Sequence, residues 1–249
     1  MVDIFDWNDL NNLGDTQNAD LRNDLDSNTT GYAGIGDSWT GLFEYEFVGT
    51  AYSGDFDGNG YAIKDVVSTG ISAFMNGIQF GSVRNLTLEY DLTPDDDFFI
   101  GGIVGRIHSS PSIIQNCAVF GNIDLNVPDS AIESVGLVAG QTETSGNVSN
   151  CYAIGQIQNA SSDVVSVGGI TGRNSGITED CYAFCEFNNV NTTAYGAAAG
   201  GTNNYFSSTV AGFTTTQSGE TDLTTAQMTG TDASNNMSLD FTNTWKEQP

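Results

Sequence analysis

Between residues 50 and 215 short apolar bursts alternate with glycine and asparagine turns, and the apolar positions show little helical spacing. Such bursts, bounded by turn residues, predict β-strands. Four of them line up as GGIVG (101–105), GLVAG (136–140), GGITG (168–172) and GAAAG (196–200), at steps of 35, 32 and 28 residues. A unit of this length cannot bury its own apolar face. The repeat therefore predicts a solenoid in which each coil is covered by its neighbours.

A second column indicates the buried side. Cys117, Cys151 and Cys181 coincide, each preceded by Asn or Asp, and the weaker copy SVRNLTLEY sets Leu86 in the same place after Asn85. A position that accepts Leu or Cys reads as buried and apolar, because a free thiol behaves as a small hydrophobe. Three residues on stand Phe120, Ile154 and Phe184, and six on stand Ile123, Ile157 and Phe187. Both files are expected to stack inward as ladders. Gly121 and Gly155 are expected to mark a corner, with Cys185 in their column of the third copy. Strands about 4.8 Å apart could be bridged by disulfides, yet three thiols in a ladder and one at a corner make no paired framework. Reduced structural thiols are expected. Metal ligation is not, since no CxxC and no histidine partner accompanies them.

These columns, with SGDFDGNGYAIKDV (53–66), resemble the GLUG-motif repeat of bacterial and archaeal surface adhesins and of IgA-specific metalloproteases. Upstream, ADLRNDLDSN (19–28) resembles the family's entry segment, in which a short amphipathic helix leads into a first strand. Downstream, NNYFSSTVAGFTTTQSGETDLTTAQMTG and LDFTNTW resemble its closing segment, with Tyr205 where Cys-Tyr is more usual. The resemblance implies an all-β right-handed parallel β-helix and a role in extracellular contact, with no catalytic residues to carry over. It implies a cap and entry strand over 1–50, solenoid repeats over 51–204 and a closing segment over 205–249, in one continuous domain. Trp7, Trp39 and Trp245 then belong to caps, as packing residues or aromatic platforms for sugars. The zinc-binding HExxH of the metalloproteases is absent, and His108 is the single histidine.

Charge adds a habitat. With 31 acidic against 6 basic residues the formal charge is -25, while 39% hydrophobic residues and 30 glycines describe a folded chain rather than an acidic tail. At molar salt the Debye length shrinks to about 3 Å, so self-repulsion nearly vanishes and hydrated carboxylates keep the surface soluble. A halophile's protein is the simplest reading. The same field argues against nucleic acid as a partner. No apolar run approaches the roughly 18 residues of a membrane span. The opening MVDIFDWNDL shows no basic and apolar leader, so no export signal is expected.

Candidate chemistry is sparse. DFDGNG imitates a calcium loop, with Asp55, Asp57 and Asn59 at alternating ligand positions, but its twelfth position is Val66 where a bidentate Glu is required. A strand-turn-strand link is favoured, and no cofactor is expected beyond loosely held cations. TPDDDFF sets Asp95, Asp96 and Asp97 before Phe98 and Phe99, the first choice for a contact loop beside the simpler reading of a hydrated turn. No catalytic residue is assigned, and the abundance of acids leaves no pair distinguished. Six Asn-x-Ser/Thr sequons begin at Asn28, Asn85, Asn147, Asn159, Asn191 and Asn236.

The expected function is a non-enzymatic adhesion or structural module, on the surface of a haloarchaeal virion as fibre, spike or capsid protein. Its partners would be other virion subunits or a host surface glycoprotein or glycan. The alternatives are a polysaccharide-cleaving tailspike, a cell-surface adhesin of a halophilic archaeon and a cytoplasmic scaffold. Unpaired edges at the end rungs favour a homo-oligomer, a trimer being one arrangement.

Overall fold

The computed structural model describes residues 1–38, 40, 42, 51–70, 73–94, 99–108, 111–125, 132–158, 164, 166–190, 193–198, 200–211 and 219–241. Its strands form a parallel β-solenoid with four sheets. Three successive turns each place a strand in all four: Phe99–Gly101, Val104–Ile107, Ser112–Gln115 and Ala118–Asp124 in one; Ser134–Gly136, Ala139–Thr142, Gly146–Ser149 and Tyr152–Gln158 in the next; then Ser166–Gly168, Thr171–Asn174, Ile177–Glu179 and Tyr182–Asn188. Each turn stacks on the previous one in register, so that Phe120, Ile154 and Phe184 are successive partners.

The two repeated sequence features are corners. Asn85, Asn116, Asn150, Asp180 and Asn203 all lie at φ between 51 and 58°, the left-handed region that Asn and Asp tolerate best among non-glycine residues. Asn or Asp therefore precedes the buried file at each turn because the chain must bend there. The glycine column answers a different need. A Cβ on Gly101, Gly136 or Gly168 would lie 2.1, 2.3 or 2.2 Å from the carbonyl oxygen three residues ahead, so only glycine fits the tight bend that follows. In the last copy the register is one residue earlier than the sequence alignment implies, because Tyr195 rather than Gly196 pairs with Gly168.

Leu86, Cys117, Cys151 and Cys181 form a buried file. Each of the three thiols donates to the carbonyl two residues before it, at 3.3, 3.2 and 3.1 Å. All four cysteines are free and buried. From Cys117 the alternation carries Val119, Gly121 and Ile123 inward, and the matching Ile157 is also fully buried. Phe187 is partly buried against the same core. The file three residues on is corrected: Phe120, Ile154 and Phe184 face outward, and Ile154 is 40% exposed. An odd offset from an inward residue reaches the opposite face of a strand.

Gly121 and Gly155 are likewise not corners; both lie inside strands. A Cβ on Gly121 would stand 2.3 Å from the ring of Tyr90, its partner on the preceding turn. The glycine makes room for that buried ring, whose hydroxyl donates to the Leu137 carbonyl at 2.9 Å.

Both ends are closed by side chains. At the start, helix Trp7–Asn11 is capped by Asp6, and the buried Trp7 indole donates to Asp26 O at 3.0 Å. This helix precedes the 19–28 segment, where Ala19–Leu21 is already a strand. At the far end Asn204 follows in the cysteine file: its Oδ1 accepts from Cys181 N (3.2 Å) and its Nδ2 donates to Thr178 O (2.8 Å). Trp39 and Trp245 lie outside the described residues.

Candidate functional site

The outward residues of three paired strands make three parallel columns. Tyr152 and Tyr182 form the first, Phe120, Ile154 and Phe184 the second, and Asn122, Gln156 and Glu186 the third. The tyrosine rings stack at 5.2 Å with planes 6° apart, and Phe184 meets Tyr182 edge-on at 6.0 Å. Burial pushes both phenols above their ordinary pKa, so they stay neutral donors.

The closing segment folds back over this face. Met228, Ala233, Met237 and Leu239 pack with Tyr205 and Leu223, and Tyr152, Tyr182, Phe184 and Phe241 lie against them. The helical turn Thr225–Met228 begins with a capping box between Thr224 and Gln227. The segment is tied to the solenoid at Ser238, whose N–H donates to Tyr205 Oη at 2.7 Å while its carbonyl accepts from Asn203 Nδ2 at 3.1 Å.

A groove of about 630 Å³ remains between segment and sheet. Ile154, Tyr182 and Phe184 line the sheet side, and Met228, Met237 and Phe241 the segment side. The third column forms its polar margin. Glu186 is the one carboxylate in that lining, which holds no Lys or Arg among the described residues. Along the margin Asn122 Nδ2 donates to Asp91 Oδ1 at 2.7 Å and Asn188 Nδ2 to Gln156 Oε1 at 3.3 Å. An open pocket with apolar walls and a few polar groups on one side is suited to binding.

The residues singled out from sequence lie elsewhere or belong to this groove unexpectedly. Asp55 accepts from Ser82 Oγ (2.6 Å), and Asp57 accepts from Asn59 N (2.8 Å) and Asn85 Nδ2 (3.0 Å). Asn59 itself is a left-handed turn residue whose amide donates to Leu21 O at 3.0 Å. These groups serve the turn, and no cluster of three or more metal-binding side chains occurs among the described residues. Asp95, Asp96, Asp97 and Phe98 lie outside the described residues; Phe99 opens a strand, with the Arg106 guanidinium 5.1 Å over its ring. Arg106 also pairs with Glu143. Half-burial and the nearby Arg106 charge push the His108 pKa down.

The groove was legible only in part. Counting by twos from Cys117, Cys151 and Cys181 identifies the outward aromatic and aliphatic stripe, but nothing local places residues 228–241 over it.

The family model of the GLUG motif matches residues 132–158, the turn that carries Cys151, Tyr152, Ile154 and Gln156. The match covers one turn of the solenoid. None of the curated proteins compared with the chain matches it. Among solved structures, the chain is similar to a Bacteroides ovatus protein described as a candidate immunoglobulin A1 protease. The two share 18% identity with a TM-score of 0.46, over 79% of this chain and 83% of that one.

Proposed function

We propose that this GLUG-repeat β-solenoid is a non-enzymatic contact module that presents the groove face to another surface. One observation carries the reading: a groove walled by Ile154, Tyr182, Phe184, Met228 and Met237 opens on an otherwise acidic surface, with Glu186 the single carboxylate in its lining among the described residues. Glycosidic cleavage by the common route needs two carboxyl groups roughly 5–9.5 Å apart across the bond. Among the described residues the lining offers one, and Asp91, bonded to Asn122 at the margin, lies three strands from Glu186, roughly 14 Å at the spacing of adjacent strands, so contact is favoured over a polysaccharide-cleaving tailspike.

The charge of -25 suits a surface in molar salt. In our reading the module acts on a haloarchaeal virion as fibre, spike or capsid protein, contacting the host surface or neighbouring subunits. A haloarchaeal cell-surface adhesin is the second reading, favoured by the GLUG motif itself. The test is adherence of fluorescently labelled protein to haloarchaeal envelopes at about 1 M salt, with mass spectrometry of purified particles and envelopes to locate it. Adherence weakened by Phe184→Ala is expected. Adherence that is absent, or release of shortened chains from host exopolysaccharide, overturns the reading.

A further inference from the structure

We infer that the groove is a saccharide subsite for a neutral sugar bearing a methyl-containing substituent, such as an acetamido group. This rests on the contact reading above and names its ligand class.

The two columns at the groove differ in chemistry in the way a sugar ring does. Ile154 and Phe184 are successive partners in an apolar file, and Gln156 and Glu186 follow two residues later on the same strands in a hydrogen-bonding file. Residues two apart on a strand lie on one face, about 7 Å from each other. A pyranose likewise carries an apolar C–H face bordered by hydroxyls. With its face on Phe184 and Ile154, its rim reaches the side chains of Gln156 and Glu186. The amides of Asn122 and Gln156 can each donate and accept, and the Glu186 carboxylate can accept from two vicinal hydroxyls. Adjacent turns repeat about 4.8 Å apart, close to the length of one sugar unit in an extended chain, so neighbouring rings can follow neighbouring turns.

The segment side of the groove defines the substituent. Met228, Met237 and Phe241 supply soft apolar surface, and the Thr229 hydroxyl on that side donates to the Thr225 carbonyl at 3.0 Å, so the wall suits a methyl rather than a hydroxyl. Charge excludes the acidic sugars. The lining holds no cation among its described residues, and Glu186 stands at the margin, so a uronate or phosphate seated there meets a like charge at contact distance, inside even the short screening length of molar salt, with no partner to offset it.

The experiment is calorimetric titration of the full chain at about 1 M KCl with chitotetraose, cellotetraose and tetragalacturonate. Chitotetraose is expected to bind more tightly than cellotetraose, and tetragalacturonate not to bind. Phe184→Ala should weaken chitotetraose about tenfold, the worth of one aromatic contact. Glu186→Gln, an exposed and nearly isosteric change, should weaken it several-fold with the urea midpoint unchanged. The inference is overturned if neither neutral oligosaccharide saturates, if tetragalacturonate binds equally well, or if both variants bind chitotetraose like the parent. It is also overturned if sedimentation shows a dimer that Phe184→Ala dissociates, since the groove would then belong to a second copy. Envelope adherence without oligosaccharide binding removes only the ligand class; loss of adherence as well removes the contact reading beneath it.

Discussion

The Glu220 side chain accepts the backbone N–H of Ala197 at 2.7 Å, and the same oxygen accepts Ala198 N–H at 2.6 Å. One turn earlier the Ala197 carbonyl accepts in the same way from Ile170 and Thr171, and before that Ile170 O accepts from Val138 and Ala139. A carboxylate thus replaces the carbonyl that another coil would have supplied. Glu220→Ala leaves two buried donors unpaired and should cost about 3 kcal/mol, while Glu220→Gln keeps an acceptor and should cost less than half of that. Urea unfolding at high salt measures both. Equal losses would mean that the side chain's bulk, not its oxygen, closes the stack.

The contact between Gly121 and Tyr90 predicts strong coupling. A methyl on Gly121 has no room beside the ring, so Gly121→Ala should destabilise by about 3 kcal/mol. Combining it with Tyr90→Ala should cost clearly less than the two single losses added together. Additive losses in the double-mutant cycle would place the strain somewhere other than this contact.

The corner residues make a backbone prediction. Asn150 stands at φ 51°, where an L-residue without a short polar side chain costs about 1–2 kcal/mol. Asn150→Ala should lower stability by that amount, whereas Asn150→Gly should stay within about 0.5 kcal/mol of the parent. Thermal unfolding decides it. An alanine variant as stable as the glycine variant would show that the corner does not need the left-handed conformation.

The buried thiols predict a fall in stability at high pH. Burial pushes Cys117, Cys151 and Cys185 above the ordinary value of 9.0. Above that pH the unfolded chain releases these protons while the native chain keeps them. Native protein then binds more protons, so stability is fully present below pH 9 and declines above it, by up to about 1.4 kcal/mol per thiol per pH unit. Urea midpoints from pH 7 to 10.5 should show a plateau and then a drop, softened in Cys185→Ala. Rapid native labelling of Cys117 or Cys151 by a thiol reagent at high salt would contradict the dry file.

Salt should stabilise the fold. Excess negative charge far outnumbers the favourable pairs, of which the described residues show Arg22 with Asp3 and Asp20, Arg106 with Glu143, and Arg173 with Glu133. Screening weakens both kinds of interaction, and repulsion is the larger. Raising KCl from about 0.1 to 1 M should increase the unfolding free energy by a few kcal/mol. Sucrose at matched osmolality separates screening from solvent exclusion. A flat response to KCl would remove the argument for a high-salt habitat.

The repeat, the inward cysteine file and its Asn or Asp corners could be read from the chain alone, because backbone bends and strand alternation are local and recur at fixed spacing. Phe120, Ile154 and Phe184 were open to misreading as core, since hydrophobicity does not say which face of a strand a residue takes; parity from Cys117 does. What only the tertiary structure decided is the groove and the closure of the stack. Met237 comes to face Ile154 across 83 positions of chain, and Glu220 takes the place of a carbonyl that no neighbouring sequence supplies. Those contacts depend on how the closing segment packs back on the sheet, and long-range packing leaves no periodic trace in the residues that make it.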